Sequence, residues 1–300
     1  MKKILIIVLL LFCTNIKASI VVMDADSGRV LYSQNKDERK LIASTTKIMT
    51  TIIALENSNI KTKLTVGDEI LKVNGSMIYS KQGEKYTIED LLYGLMLRSG
   101  NDAAMTLAYN IFGYNKFIEE MNKKAMILGM NNTTFENPHG LNDDSKNYST
   151  AYDLAIIMKY CMKNGTFRSL SALKNCIIPA TNKYEERVFR TTNELLIYNN
   201  SDVSSNYYYE YAIAGKTGYT TQAKNCLVSV ANKDDLELIC VVLSVGLYPN
   251  NLSAKFVDTK ALFNYGYDNF TIRKLREKNA IATQIEIDNG TNETKSLDLL

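Results

Sequence analysis

Residues 211–246, YAIAGKTGYTTQAKNCLVSVANKDDLELICVVLSVG, hold three apolar runs, at 211–217, 225–231 and 236–246. Polar clusters separate the runs, which read as three strands joined by short connections and therefore antiparallel neighbours. A second strand-like region lies at the other end of the chain. There SIVVMDADSGRVLYSQ (19–34) reads as two strands around a DSG turn. The intervening chain is mostly helical in spacing, over 44–56, 87–98, 101–112, 115–128 and 151–163, and a last helix is expected over 252–268. Thr87 and Asp90 stand at capping-box spacing, with Asp where Glu or Gln is usual. The polar stretch 164–210, rich in Asn and Tyr, reads as loops with short strands. Strands at both ends with helices between predict one α/β domain, whose antiparallel sheet joins the first hairpin to the last three strands.

The termini differ from this body. Lys2 and Lys3 precede an apolar run from Ile4 to Phe12, and CTNIKA ends at the small residue Ala18. This pattern predicts a secretory signal over residues 1–18, removed after Ala18, since the run is too short to span a bilayer comfortably. Bulky Phe12 before Cys13 argues against a lipoprotein signal. The main domain is expected over 19–270, and 46% hydrophobic content is enough for its core. Residues 271–300 alternate like β-structure around an NG turn and read as the start of an incomplete β domain.

The whole chain has 35 Lys and Arg against 32 Asp and Glu. Residues 1–18 hold Lys2, Lys3 and Lys17 and no acid, so the remainder is formally neutral and gives no electrostatic support to a nucleic-acid partner. Cys161, Cys176, Cys226 and Cys240 follow the signal. Cys226 and Cys240 flank NKDD (232–235) and would face each other in one register of a hairpin, but burial as small hydrophobes is the favoured reading.

The chemistry begins at LIASTTKIMT (41–50), where Ser44 and Lys47 share a helix face among apolar neighbours. Desolvation lowers a lysine pKa and makes it a base for a nearby hydroxyl. The pair alone carries little, because S-x-x-K recurs at Ser33–Lys36, Ser58–Lys61 and Ser171–Lys174. Its company decides. SGN at 99–101 lies between two helical runs, and KTG at 216–218 ends a strand and occurs once. S-x-x-K, S-D-N and K-T-G mark class A β-lactamases and penicillin-binding proteins; here Gly100 replaces the middle Asp.

On these residues the chain resembles the low-molecular-mass penicillin-binding proteins, serine-type D-alanyl-D-alanine carboxypeptidases of peptidase family S11. The match includes residues 23–50, LLYGLMLRSGNDAA (91–104), NPHGL (137–141), STAYDLA (149–155) and GKTGYT (215–220), and it runs from about residue 20 to 270. The resemblance implies a β-lactamase/transpeptidase-like fold and a cell-envelope enzyme, secreted or at the outer face of the cytoplasmic membrane. Its substrate would be the peptidoglycan stem peptide ending in D-Ala-D-Ala, and β-lactams would inhibit it covalently. It implies Ser44 as nucleophile, Lys47 as its base and Ser99 as proton relay to the leaving D-alanine. Asn101 would hold the substrate amide, and Lys216 and Thr217 the terminal carboxylate. Gly218 would let the substrate backbone lie close, and the Ser44 and Tyr219 N–H groups would form the oxyanion hole. No cofactor or metal is implied. Longer members add a β-rich domain and a membrane-surface helix; here the chain ends at Leu300 with neither finished, which leaves anchoring and membrane-surface association open. The Tyr-rich NYYYEYA (206–212) is expected to serve packing.

Rival readings have less support. A class A β-lactamase normally adds an E-x-x-L-N segment, which the region between SGN and KTG does not contain. A Ser-His-Asp hydrolase would have to use His139, the single histidine, which reads as structural within its turn, and G-x-S-x-G is absent. One histidine also argues against a zinc peptidase. D,D-endopeptidase activity on cross-links and a catalytically silent peptidoglycan-binding module remain as alternatives, although intact Ser44, Lys47, Ser99 and Lys216 oppose the second.

Overall fold

The fold starts from a tight reversal. Asp24 Oδ1 accepts from Asp26 N at 2.8 Å and Ser27 N at 3.1 Å, and Gly28 takes a φ of +81°. That turn joins β1 (Ser19–Asp24) to β2 (Val30–Gln34). The computed structural model describes residues 17–142, 146–198, 207–249 and 251–273. Apart from Lys17 and Ala18, the expected signal lies outside these residues, as does the expected C-terminal β extension apart from 271–273.

After β3 (Lys40–Leu41), a 3-10 turn over Ala43–Thr46 leads into α1 (Lys47–Asn57). Residues Lys47 to Ala54 are all buried, so α1 is the central helix of the core. The ribbon of β4 (Lys63–Thr65) and β5 (Lys85–Thr87) precedes α2 (Ile88–Leu97). The Thr87–Asp90 capping box forms as expected, with Asp90 in the acidic role. Next come α3 (Asn101–Ile111), α4 (Tyr114–Ile127), β6 (Tyr148–Ser149), which pairs with β3, and α5 (Ala151–Met162). The polar stretch expected to be loops and strands holds a further helix, α6 (Gly165–Ala172), before the hairpin of β7 (Asn175–Ile178) and β8 (Arg187–Arg190). Asn164 caps α6 by accepting from Phe167 N at 3.0 Å.

The last strands, β9 (Ala212–Thr220), β10 (Lys224–Lys233) and β11 (Leu236–Val245), complete a five-stranded antiparallel sheet ordered β2-β1-β11-β10-β9. The first strand pairs with the last, Val21 opposite Val241. Side chains alternate between two buried faces. Val21, Met23, Val228, Ile239 and Val241 pack toward the helical body, while Ile20, Val22, Leu238 and Val242 pack against α7 (Ala254–Asn269) through Leu262 and Phe263. Burial on both faces is why the middle of β11, Leu238–Leu243, is apolar at every position, with polar Glu237 and Ser244 only near its ends. It also separates the cysteines. Cys226 joins the helical-side core and Cys240 the other, and all four cysteines among the described residues are free. The Tyr-rich segment packs: Tyr209 stacks on Phe263 at 5.7 Å, and Tyr207 meets Phe256 at 5.0 Å.

Candidate active site

Three segments converge where the start of α1 meets β9: the turn carrying Ser44, the α2–α3 loop carrying Ser99, and the middle of β9. Ala43 takes a φ of +46°, which turns the chain sharply before Ser44, and Thr45 N and Oγ1 close the turn on Ile42 O at 3.2 and 2.7 Å. A non-glycine residue in the left-handed region carries strain, and such strain gathers at functional sites. Ser99 is a second case, at φ +60°.

Lys47 is 0% exposed. Its Nζ lies 3.0 Å from Ser44 Oγ, 2.7 Å from Asn101 Oδ1 and 2.6 Å from His139 O. An ammonium has three N–H donors, and all three are matched here. A neutral amine has two donors and a lone pair. The amide and peptide oxygens can only accept, so they keep the two donors, and the lone pair is left for the Ser44 hydroxyl. Burial first, and the Lys216 charge second, hold the Lys47 pKa well below its usual value, against an opposing pull from Asp102.

The 137–141 turn supplies the carbonyl that Lys47 uses. Asn137 Oδ1 accepts from Gly140 N at 2.6 Å, and Thr50 of α1 donates to Pro138 O at 2.6 Å, which pins the turn to the helix. Gly140 is obligatory here: at φ +94°, a Cβ would stand 2.0 Å from Ala43 O. The His139 ring is structural, as the sequence suggests. Its Nδ1 accepts from Leu141 N at 3.1 Å, and burial, with the Lys47 charge, pushes its pKa down to about 3.

On the opposite wall, Lys216 is 1% exposed and donates to Ser99 Oγ at 3.0 Å and to Thr217 O at 2.9 Å. Burial, then the Lys255 charge, lowers its pKa to about 7. Thr217 Oγ1 lies 2.6 Å from Thr192 Oγ1. Gly218 has a nearer reason than a substrate backbone to lack a side chain. Its Cβ would lie 3.0 Å from Ser44 N and 3.1 Å from Ile42 O, so β9 runs directly past the backbone of Ser44. Asn101 Nδ2 donates to Asn74 O at 2.6 Å, which leaves one N–H of that amide for a ligand.

All eight residues singled out in the sequence lie in or against this site. Ser44, Ser99, Thr217, Gly218 and Tyr219 line a cleft of about 660 Å³; Lys47, Asn101 and Lys216 are buried behind it. Sequence reasoning missed the His139 carbonyl, Asp102, and the cations Lys255 and Arg190 that also line or act on the cleft. A carbonyl leaves no trace in a sequence, whereas Asp102, directly after SGN at the start of a helix, was a visible signal. Among the described residues no group of three or more His, Cys, Asp or Glu is placed to hold a metal.

A serine hydroxyl facing a buried amine, with a second lysine across a cleft beside a sheet edge, defines a serine–lysine acyl-transfer enzyme. The family description "D-alanyl-D-alanine carboxypeptidase", peptidase S11, matches residues 14–246. The chain is 33% identical over 279 residues to D-alanyl-D-alanine carboxypeptidase DacF of Bacillus subtilis, covering 91% of this chain and 67% of that protein. Its fold is similar to the crystal structure of a D-alanyl-D-alanine carboxypeptidase from Mycobacterium tuberculosis, with a TM-score of 0.76 and 30% identity over 83% of this chain and 90% of that one. It is also similar to the Streptomyces K15 DD-transpeptidase, with a TM-score of 0.72 and 34% identity over 83% and 96% of the two chains. This chain belongs to the peptidase S11 family of D-alanyl-D-alanine carboxypeptidases, and the expected fold is the observed one. Members generally act outside the cytoplasm. Among the described residues no helix is long and apolar enough to cross a membrane.

Proposed function

We propose that this serine peptidase removes the terminal D-alanine from peptidoglycan stem pentapeptides through an acyl-enzyme on Ser44. The observation that carries this reading is the buried Lys47 amine, with two oxygens holding its donors and Ser44 Oγ at 3.0 Å on its remaining valence. Ser44 Oγ attacks the carbonyl between the two D-alanines as its proton passes to Lys47. Negative charge then develops on the carbonyl oxygen between the N–H groups of Ser44 and Tyr219, donors of a kind contributing about 3–4 kcal/mol each. The C–N bond breaks as Ser99, with Lys216 bonded to its oxygen, gives its hydroxyl proton to the leaving amine and takes in return the proton Lys47 accepted, so that Lys47 is again uncharged when water arrives. Water then cleaves the ester. Lys216, Thr217 and Lys255 face the substrate's terminal carboxylate, and a β-lactam carboxylate uses the same groups. The remaining Asn101 N–H holds the substrate amide. We place the enzyme in the cell envelope, a reading supported by Lys2, Lys3 and the apolar run after them.

The test is labelling with a fluorescent penicillin together with D-alanine release from a pentapeptide. Ser44→Ala is expected to lose both. Lys47→Ala is expected to acylate at least about a hundredfold more slowly, the scale of a general base. A wild-type rate in Lys47→Ala would remove that residue from the mechanism, and label retained in Ser44→Ala would remove the nucleophile.

A further inference from the structure

Asp102 is fully buried in the first turn of α3. Its carboxylate is shared among three backbone donors: Oδ1 accepts from Ile78 N and Ala103 N, both at 3.0 Å, and Oδ2 from Ser80 N at 2.9 Å. The loop held in this way returns two bonds to Asn101. Asn101 N donates to Ser76 O at 2.7 Å and Asn101 Nδ2 to Asn74 O at 2.6 Å. Asn101 Oδ1 in turn takes the 2.7 Å bond from Lys47. A path of hydrogen bonds therefore runs from Asp102 through the 74–80 loop to the amine.

We propose that Asp102 is a positioning residue of the acylation step, a buried anion that sets the loop behind the Asn101 amide and offsets the Lys216 charge at the Lys47 amine. The inference rests on the reading of Lys47 as the base. The titratable groups facing Lys47 are Asp102 from α3, Lys216 from β9 and His139 from the 137–141 turn; Lys255 from α7 acts on Lys216. His139 is uncharged at neutral pH, so Asp102 is the anion of this set. Burial and Lys216 lower the Lys47 pKa, and Asp102 raises it. Neutralising Asp102 leaves the lowering influences unopposed, so the amine stays uncharged to a lower pH. Losing acceptors for the loop amides also shifts the Asn101 amide, and small misplacements of this kind cost about 10- to 100-fold in rate.

The experiment is the pH profile of acylation by a fluorescent penicillin in the wild type, Asp102→Asn and Asp102→Glu. Circular dichroism and Tm of each variant check folding, and D-alanine release by the wild type serves as control. Asp102→Asn is expected to move the acid limb to lower pH and to lower the plateau about 10- to 100-fold. Asp102→Glu, which keeps the charge on a longer arm, is expected to lower the plateau with the limb unmoved. A purely structural role would lower the plateau of Asp102→Asn and leave its limb in place, and that result overturns the electrostatic proposal. An unchanged plateau in either folded variant overturns the positioning proposal. If Asp102→Asn does not fold, the Asp102→Glu plateau decides the positioning role. A wild type that takes no label and releases no D-alanine instead fails the reading of the whole site, and this inference with it.

Discussion

Raising the pH from 7 to 8 perturbs Lys216, the group we propose to bind the substrate carboxylate. Lys216 has a pKa near 7, lowered by burial and then by Lys255, so about half of the free enzyme carries the cation at pH 7 and about one-eleventh at pH 8. Because kcat/KM reports the free enzyme, its value for a peptide ending in a free carboxylate should fall about fivefold over that unit through this group. The fall should approach about tenfold over the next unit. Lys47 also changes protonation with pH, so the comparison is with the same peptide ending in a carboxamide. Both peptides use the same base, and the ratio of their kcat/KM values isolates the cation. That ratio is expected to drop about fivefold between pH 7 and 8 in the wild type. In Lys216→Gln it should be low and nearly flat, with Lys255, whose own pKa burial lowers, setting the floor. Steady-state D-alanine release from both peptides across pH 6–9 supplies the measurement. A wild-type ratio that stays constant across this range would refute the assignment of Lys216 to the carboxylate.

Two further expectations concern stability. Gly140→Ala drives a Cβ into Ala43 O at 2.0 Å with φ at +94°, so it should cost about 1–3 kcal/mol and slow acylation, whereas Gly113→Ala, at φ +79° with open space around it, should lower Tm and leave acylation alone. Glu84→Ala leaves the mostly buried Arg187 guanidinium without its ion-pair partner and should cost about 3–5 kcal/mol, or about 10 °C in Tm by calorimetry.

The sheet was legible because its strands are largely apolar and bounded by turn residues, and the capping box because Thr87 and Asp90 are close in sequence. Helix α6 was not, since eight residues with Gly, Thr and two Ser show little periodicity and only Asn164 marks their start. At the site, side-chain identities were readable as motifs: Ser44 with Lys47, Ser99 with Asn101, and Lys216 with Thr217 and Gly218. The unreadable parts depend on the backbone path. Any residue offers a carbonyl, so nothing singled out the one at His139. Lys255 looks like any lysine at a helix start until α7 lands beside the cleft. Gly218 was readable as a site of close approach, but which backbone approaches it depends on where residues 42–45 run.

Strand β1 sits inside the sheet between β2 and β11, with Ser19 opposite Leu243. Its second neighbour is therefore among the last residues of the domain to be synthesised. Until β11 emerges, β1 has an open edge and the β1–β2 and β9–β10 pairs cannot be joined, so the sheet must wait on a contact between opposite ends of the domain. Such wiring makes synthesis through Val245 a checkpoint for folding. A product that stops short of it lacks the middle of the sheet rather than a dispensable rim, and quality-control proteases should treat it as unfolded.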